Sequence, residues 1–211
     1  MSATDLDPRA LERVHALIAS GGRAILGLVG PPGSGKSTIA EALRAAFPGI
    51  SQVVPMDGYH LANVTLRALG RADRKGAADT FDAYGYVSLL RRLRSHGADE
   101  TVYAPEFRRE IEEPVAGAIA VEPGTRLVIT EGNYLLLDDA PWNEVRALLD
   151  DSWYVEVDEA LRLRRLVARH VRFGRTQQEA LAWVQQTDEP NARRIEASKR
   201  RAQYTLSLEG E

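Results

Sequence analysis

The stretch GLVGPPGSGKST, residues 27–38, decides the fold of this chain of 211 residues. It matches the pattern G-x-x-x-x-G-K-[ST] in full, with Lys36 and Ser37 at its end, and it stands between an apolar run and a helical pattern. Glycine permits positive φ, so the backbone N–H groups of such a loop can converge on phosphate oxygens at a helix N-terminus. The stretch therefore predicts a strand, a phosphate-binding loop (P-loop) and a helix in succession.

This loop is expected to bind the phosphates of a nucleoside triphosphate, with ATP as the expected donor and Mg²⁺ as its companion. Lys36 is expected to bridge the terminal phosphates, and Ser37 to place its hydroxyl on Mg²⁺. The alternative is a Gly/Pro-rich loop with a lysine there by accident, which the strand–helix context disfavours. The predicted nucleotide-binding residues of the loop are Gly30, Pro31, Pro32, Gly33, Ser34, Gly35, Lys36, Ser37 and Thr38.

The composition argues against several classes of protein. The chain contains no cysteine, which excludes disulfides, thiolate nucleophiles and cysteine-based zinc sites. Its formal net charge of −3 argues against nucleic acid as a partner. No secretory signal pattern and no apolar run of ~20 residues is visible, so we expect a cytoplasmic protein without a membrane partner. The oligomeric state is left open, a homodimer included.

Apolar runs alternate with amphipathic segments along the chain. Five runs are predicted to be strands: 24–30, 51–56, 126–130, 152–157 and 204–208. A helix is predicted over 142–149, and a helical region over 159–201 with breaks at Gly174 and Pro190. This alternation indicates an α/β fold, a P-loop NTPase three-layer sandwich with a doubly wound, mostly parallel sheet. A single domain over 1–211 is expected.

Two carboxylates directly follow predicted strands. Asp57 comes after SQVVPM, and Glu131 comes after RLVIT. Because the carboxyl ends of parallel strands share one edge of the sheet with the P-loop, both side chains should face the bound phosphates. Asp57 is the candidate base for an acceptor hydroxyl, and Glu131 is expected near Mg²⁺, through water. A helix-cap or turn role is the alternative for each.

The P-loop alone does not choose among functions. The chain has no Asn-Lys-x-Asp segment of the kind a GTPase switch uses, and it is too short for a helicase. The remaining hypothesis is a kinase, in which the hydroxyl of a small metabolite accepts the γ-phosphoryl group of ATP. A non-catalytic ATP-binding regulatory protein is the alternative from another class.

Several short motifs resemble the phosphoribulokinase/uridine kinase/pantothenate kinase group. The motifs, beside the P-loop, are MDGYH at 56–60, TFD at 80–82, YAPEF at 103–107 and EG at 131–132. The resemblance spans residues 24 to about 201, and it implies that Asp57 is the base and that a hairpin, inserted at about 99–122, covers the acceptor. The candidate acceptor-binding residues are Asp57, Tyr59, His60, Phe81, Asp82, Phe107, Arg108 and Arg109.

The sequence departs from the group's patterns in several places, and these differences bear on the identity of the phosphate acceptor. PEFRR at 105–109 stands where uridine kinases have Tyr-Asp-Phe and a His-Ser-Arg-like stretch, which argues against a pyrimidine nucleoside. The DGYH segment is similar to the pantothenate kinase branch, but the chain is short for a bacterial member of it. The greatest similarity is to small bacterial members labelled fructokinase or fructose-transport kinase. A fructose-like sugar is therefore the first candidate, with a nucleoside or pantothenate as alternatives.

Four arginines share one face of a predicted helix. Arg162, Arg165, Arg169 and Arg172 occur at i, i+3, i+7 and i+10, within roughly 80° around the helix axis. The alternative is a solvated charged face, although arginines without an interleaved carboxylate would repel one another. The resemblance implies a mobile helical lid at about 160–187 that closes over ATP. Arg169 is the first candidate for neutralising the transferring phosphoryl group, followed by Arg165 and Arg172 as ATP-binding residues.

Overall fold

The computed structural model describes residues 6–95 and 99–208, and its strands form two sheets. The strands are β1 (Ala24–Val29), β2 (Ser51–Val53), β3 (Val102–Arg108), β4 (Glu113–Val121), β5 (Leu127–Gly132), β6 (Asp151–Val157) and β7 (Tyr204–Leu208). Five of them form a parallel sheet in the order β2–β5–β1–β6–β7. The other two, β3 and β4, form an antiparallel hairpin.

Helices connect the parallel strands. In the described part of the chain the α-helices are α1 (Pro8–Ala19), α2 (Lys36–Ala46), α3 (Asn63–Ala68), α4 (Ala83–Ser95), α5 (Glu159–Arg172), α6 (Gln177–Trp183) and α7 (Glu189–Glu196). The helix α1 begins where the Asp7 carboxylate accepts the N–H of Arg9. Over residues 6–95 and 99–208, no helix has both the length and the apolar composition that a bilayer crossing requires.

Both faces of the parallel sheet are covered, and β1 shows why. All six of its residues are buried, as expected for a central parallel strand. Ile25 and Val29 pack in a hydrophobic cluster with α4, whereas Leu26 and Leu28 pack in a second cluster with α1 and α2. Each such buried side chain contributes roughly 1.5–3 kcal/mol relative to an exposed one. The predicted α/β fold with a doubly wound parallel sheet is therefore confirmed.

The register of the sheet brings three strand ends together. Val29, the last residue of β1, is paired with Gly132 of β5 and with Tyr154 of β6. The P-loop that follows β1 therefore lies between the carboxyl ends of its two neighbours. Chemical groups placed after these strands meet at one edge of the sheet.

The hairpin lies against the 3₁₀ turn Met56–Tyr59, which follows β2. A Cβ on Gly58 would stand 2.2 Å from the carbonyl oxygen of Pro105, so the two backbones approach more closely than a side chain permits. Pro105 itself lies at an irregularity of the β3–β4 register. This contact holds the middle of β3 next to the turn that carries Asp57.

The strand predicted over 51–56 is shorter than expected. It ends at Val53, because Pro55 has no N–H to continue the ladder. Asp57 consequently lies in the following 3₁₀ turn rather than at the last position of a strand. The turn still carries its carboxylate to the carboxyl edge of the sheet.

Two predictions for the second half of the chain also need correction. The predicted helix over 142–149 is a pair of 3₁₀ turns, Trp142–Glu144 and Arg146–Leu148, because its backbone N–H groups donate to carbonyl oxygens three residues back, as from Val145 to Trp142. Pro190 does not break the helical region, because it occupies the first turn of α7, where no N–H is needed. The break at Gly174 is present, with φ of +99°.

Candidate active site

A cavity of about 490 Å³ opens at the carboxyl edge of the parallel sheet. We call it the central cavity. Its walls come from the P-loop, the turn after β2, the hairpin, the end of β5 and the segment from α5 to α7. Side chains that are far apart in the sequence therefore face one volume.

Glycines shape the P-loop. Gly33 and Gly35 adopt φ of +82° and +93°, a region that residues with a Cβ rarely enter. A Cβ on Gly33 would also stand 2.9 Å from the carbonyl oxygen of Arg162, so α5 packs directly on the loop. Ser34 is buried, and its Oγ has no hydrogen-bond partner among the described residues. Thr38 is exposed on the first turn of α2.

The Lys36 ammonium group is enclosed by the loop. Its Nζ donates to the carbonyl oxygens of Gly30 at 2.9 Å and Pro31 at 3.1 Å, and to Oδ1 of Asn133 at 2.9 Å. Burial lowers the pKa of Lys36 to about 8, although the negative charge of Glu131 opposes this effect. An anion bound in the central cavity would stabilise the charged form of Lys36 and raise its pKa back toward the ordinary value.

Glu131 lies beside Ser37 at the end of β5. The Ser37 hydroxyl donates to Oε1 of Glu131 at 2.8 Å. Burial and the negative charge of Asp57 raise the pKa of the Glu131 carboxyl. Hydroxyl and carboxylate oxygens are the donors that Mg²⁺ prefers, so this pair fits the ion. No group of three or more His, Asp or Glu residues is arranged for a metal in the described ranges.

The Asp57 carboxylate faces the same cavity from the turn after β2. Nη2 of Arg109 donates to its Oδ2 at 3.2 Å, and Nε2 of His60 lies 4.0 Å from its Oδ1. Burial raises the pKa of Asp57, but the positive charges of His60, which is protonated only in the acidic range where Asp57 titrates, and of Arg109 lower it by more. The net pKa lies below the usual range, so Asp57 is ionised near neutral pH.

An aromatic wall lies next to Asp57. The ring of His60 stacks on Phe81 with centroids 4.0 Å apart, and Phe107 of the hairpin lies 4.7 Å from it. Burial lowers the pKa of His60 to about 4, so the imidazole is neutral near pH 7. This side of the central cavity therefore offers flat, uncharged surfaces beside the Asp57 carboxylate, the Arg109 guanidinium group and the Lys75 ammonium group.

Three predicted acceptor-binding residues do not line the central cavity. Tyr59 packs edge-on against a tyrosine of α4. Asp82 accepts the N–H of Gly85 at 2.8 Å and so helps to begin α4. Arg108 is exposed and pairs with Glu106 at 3.2 Å. The structure brings together the other predicted residues, Asp57, His60, Phe81, Phe107 and Arg109.

The four arginines of α5 divide into two pairs. Arg162 is buried and Arg169 lines the central cavity, whereas Arg165 and Arg172 are exposed and do not line it. The geometry of the helix explains the division, because residues seven apart lie only about 20° from one another at ~100° per residue. Arg165 and Arg172 lie farther round the helix, on its solvent side.

A second cavity of about 450 Å³ adjoins the P-loop at Pro31. It lies between the end of β6, α5 and α7. Arg162 lines it and pairs with Glu189 at 2.6 Å, but Nη1 of Arg162 has no partner in the described part of the chain. A buried donor of this kind is costly unless a ligand supplies an acceptor.

Sequence reasoning missed two features of the central cavity. Asn133, which accepts from Lys36, stands two residues after Glu131, and its place at the same strand end was a usable signal. His170 and Asp188, 2.7 Å apart, both line the cavity, but they are 18 residues apart in the chain and share no motif. Only the path of the chain after α5 brings this pair together.

Comparisons with known proteins identify the family of this chain. The family model described as "Phosphoribulokinase / Uridine kinase family" matches residues 25–204. A Schizosaccharomyces pombe protein named "putative uridine kinase C227.14" is 37% identical over 188 residues, which are 82% of this chain and 78% of that protein.

Two solved structures are also similar. A "putative fructose transport system kinase" from Silicibacter sp. TM1040 has a TM-score of 0.80 and 40% identity, over 95% of this chain and 93% of that one. YFH7 from Saccharomyces cerevisiae also has a TM-score of 0.80, over 98% of this chain and all of the other, and at 19% identity it supports the fold alone. With the family model matching most of its length, this chain belongs to the phosphoribulokinase/uridine kinase family of P-loop kinases.

Proposed function

We propose that this protein transfers the γ-phosphoryl group of ATP to a hydroxyl group of a small metabolite. One observation carries the proposal: an ionised carboxylate, Asp57, faces the same cavity as Lys36 of the P-loop. The two groups are close enough that the charge of each shifts the pKa of the other. A base for the acceptor and a cation for the phosphates are the two requirements of phosphoryl transfer to an alcohol.

The roles of the residues follow from their positions. The acceptor hydroxyl gives its proton to Asp57 as its oxygen bonds to the γ-phosphorus, and the bond to the β-phosphate oxygen breaks to release ADP. Lys36 and Arg169 offset the negative charge on the phosphoryl oxygens. Ser37 and Glu131 would hold Mg²⁺, which when bound neutralises charge shared by the phosphates.

For the acceptor, a fructose-like sugar is the first candidate. The 40% identical Silicibacter protein, with its fructose-related name, supports this choice, whereas the name of the yeast relative supports a nucleoside. Pantothenate is the remaining alternative. The rings of His60 and Phe107 suit the apolar face of a sugar or a base.

The nucleoside end of ATP is assigned to the second cavity. This cavity shares the P-loop with the central cavity, and it contains the unpartnered Nη1 of Arg162. A ring nitrogen or ribose oxygen there would satisfy that donor. The phosphates would then run from the second cavity across the P-loop toward Asp57.

Acceptor-dependent ADP release is the first expected outcome. The wild-type protein, Mg²⁺ and ATP are assayed with a panel of sugars, nucleosides and pantothenate in a coupled assay. Asp57→Asn should lower turnover by at least ~100-fold, the low end for a general base, and leave the ATP affinity unchanged.

Asp82→Asn is the matched control, because that carboxylate lies outside the central cavity. ADP release that no member of the panel raises above the acceptor-free rate would argue for the regulatory alternative. Unchanged turnover in Asp57→Asn would move the base to another residue.

The two classes of α5 arginine should differ in their effects. Arg169→Ala should lower kcat by about 100-fold, more than it weakens ATP binding, because its charge is needed most in the transition state. Arg165→Ala, on the exposed side of α5, should change kcat by less than about twofold. Steady-state kinetics and fluorescent-nucleotide titration measure both effects. Equal losses in kcat and in ATP affinity for Arg169→Ala would make it a ground-state binding residue.

ATP binding should weaken as the pH rises through about 8. The pKa of Lys36 in the free protein is lowered to about 8, and bound phosphates favour its charged form, so binding above that pH requires uptake of a proton. The dissociation constant should therefore rise by up to about tenfold per pH unit. Calorimetry at pH 8.5 in two buffers of different ionisation enthalpy measures the uptake. Lys36→Gln should show none, and a pH-independent wild type would contradict the assignment.

Arg162→Met should raise the KM for ATP by about tenfold with little change in kcat, because it removes a charged hydrogen-bond donor from the second cavity. Arg164→Met, an exposed position on the same helix, is the control. Thermal unfolding with and without ATP separates a binding effect from loss of fold. A wild-type KM in a folded Arg162→Met protein would place the nucleoside elsewhere.

A further inference from the structure

The tip of the hairpin is fastened to the chain that follows Asp57. Nδ2 of Asn63 and Nζ of Lys75 both donate to the carbonyl oxygen of Glu112. The Glu113 carboxylate accepts the backbone N–H of Asn63, with 3.1 Å to each oxygen. Lys75 also donates to Oδ1 of Asn63 at 2.7 Å. We call these four residues, Asn63, Lys75, Glu112 and Glu113, the tip latch.

The backbone of the tip depends on these contacts. Glu112 has φ of +52°, and it is the one non-glycine residue with positive φ among the described residues. A residue with a Cβ is disfavoured in the left-handed region and stays there only where its surroundings hold it. The two side chains that bind the Glu112 carbonyl supply that restraint. Without them the turn would be expected to relax.

The tip latch forms part of the central cavity, because Lys75 and Glu112 line it. Arg109, three positions before Glu112, reaches Oδ2 of Asp57 at 3.2 Å. Nζ of Lys75 lies 5.1 Å from the ring centroid of Phe107. On the other side of Arg109, the middle of β3 is held by the backbone contact between Pro105 and Gly58. Two anchors therefore determine where the guanidinium group of Arg109 lies.

Lys75 lines the central cavity, but its ammonium group is held by the latch. Its side chain is only 14% exposed, and it contacts Asn63, the Glu112 carbonyl and, at 3.9 Å, the Glu112 carboxylate. Burial lowers the pKa of Lys75, and the charges of Glu112 and Glu113 oppose this. A cation enclosed in this way restrains the tip, and an acceptor would have to displace these partners to reach it.

We propose that Lys75 and Asn63 are positioning residues, which hold Arg109 against Asp57 and so complete the acceptor side of the central cavity. The expected effect on turnover rests on the proposed kinase function, whereas the effect on the hairpin does not. The hydrogen bonds and the ion pair of these two residues go to the hairpin tip and to each other, and none goes to the P-loop, so we expect the latch to act on the acceptor and not on ATP. Breaking it should release the tip and take the positive charge of Arg109 away from Asp57.

The test uses the full-length chain with Lys75→Met and Asn63→Ala. Lys75→Arg is the conservative variant, and Arg194→Met, at an exposed ion pair with Asp139, is the matched control. Hydrogen exchange of the free proteins should be at least ~10-fold faster at the hairpin tip in both latch variants, the factor expected for one lost hydrogen bond to a charged group. The exchange rate at the tip should be unchanged in the control and close to the wild-type rate in Lys75→Arg.

Two further readouts separate positioning from a structural role. The pKa of the Asp57 carboxyl, followed by carbon NMR, should rise in Lys75→Met because Arg109 moves away. With fructose as the acceptor, the KM for fructose should rise by at least ~10-fold, while the KM for ATP changes by less than about twofold. In an Arg109→Ala background, Lys75→Met should add nothing further.

The outcomes are distinguishable. Wild-type exchange at the tip in both latch variants would show that the latch does not hold the hairpin. Faster exchange with an unchanged Asp57 titration would show that it does not position Arg109. If the wild type phosphorylates no acceptor, the proposed function fails, and the exchange and titration results still decide the role of the latch.

Discussion

The arrangement depends on one buried cation, the ammonium group of Lys36. It is surrounded by two carbonyl oxygens of its own loop and by the side-chain amide of Asn133. Removing an ammonium group from water is costly unless partners or opposite charge compensate. The carboxylates that provide the charge stand after two other strands, so the P-loop, the end of β5 and the turn after β2 must meet at one edge of the sheet. The parallel register ensures that they do.

Two carboxylates share this cavity, and their surroundings move their pKa values in opposite directions. Both are penalised by burial, but positive charges around Asp57, those of Arg109 and Lys36 among them, outweigh the penalty. Glu131 lies near the negative charge of Asp57, which adds to the penalty. A carboxylate that stays ionised suits proton abstraction. A carboxylate whose pKa is raised, and whose ionised form a nearby cation would stabilise, suits a position beside Mg²⁺. The contrast supports the different roles proposed for them.

Local patterns predicted the central part of the fold well. The glycine spacing before Lys36 specified strand, loop and helix, and β1, the P-loop and α2 follow one another as predicted, because these features depend on neighbours in the chain. The carboxylates after two strands also met where parallel topology requires. Local reasoning was wrong at 51–56, where one proline ends the ladder early, and at 142–149, where hydrogen bonds between residues three apart form 3₁₀ turns instead of an α-helix. In both places the hydrogen bonds of a few backbone groups decide the structure.

The sequence by itself determined the P-loop, the α/β class and the edge at which Asp57 and Glu131 lie, since each follows from spacing along one segment. Only the tertiary structure decided which arginines of α5 face inward and which residues fasten the hairpin. The rotation of α5 is set by its packing on Gly33, and a difference of a few tens of degrees separates Arg169 from Arg165. The contact between Lys75 and Glu112 joins segments 37 residues apart. Such long-range contacts depend on how whole elements pack, and no periodicity within one element encodes them.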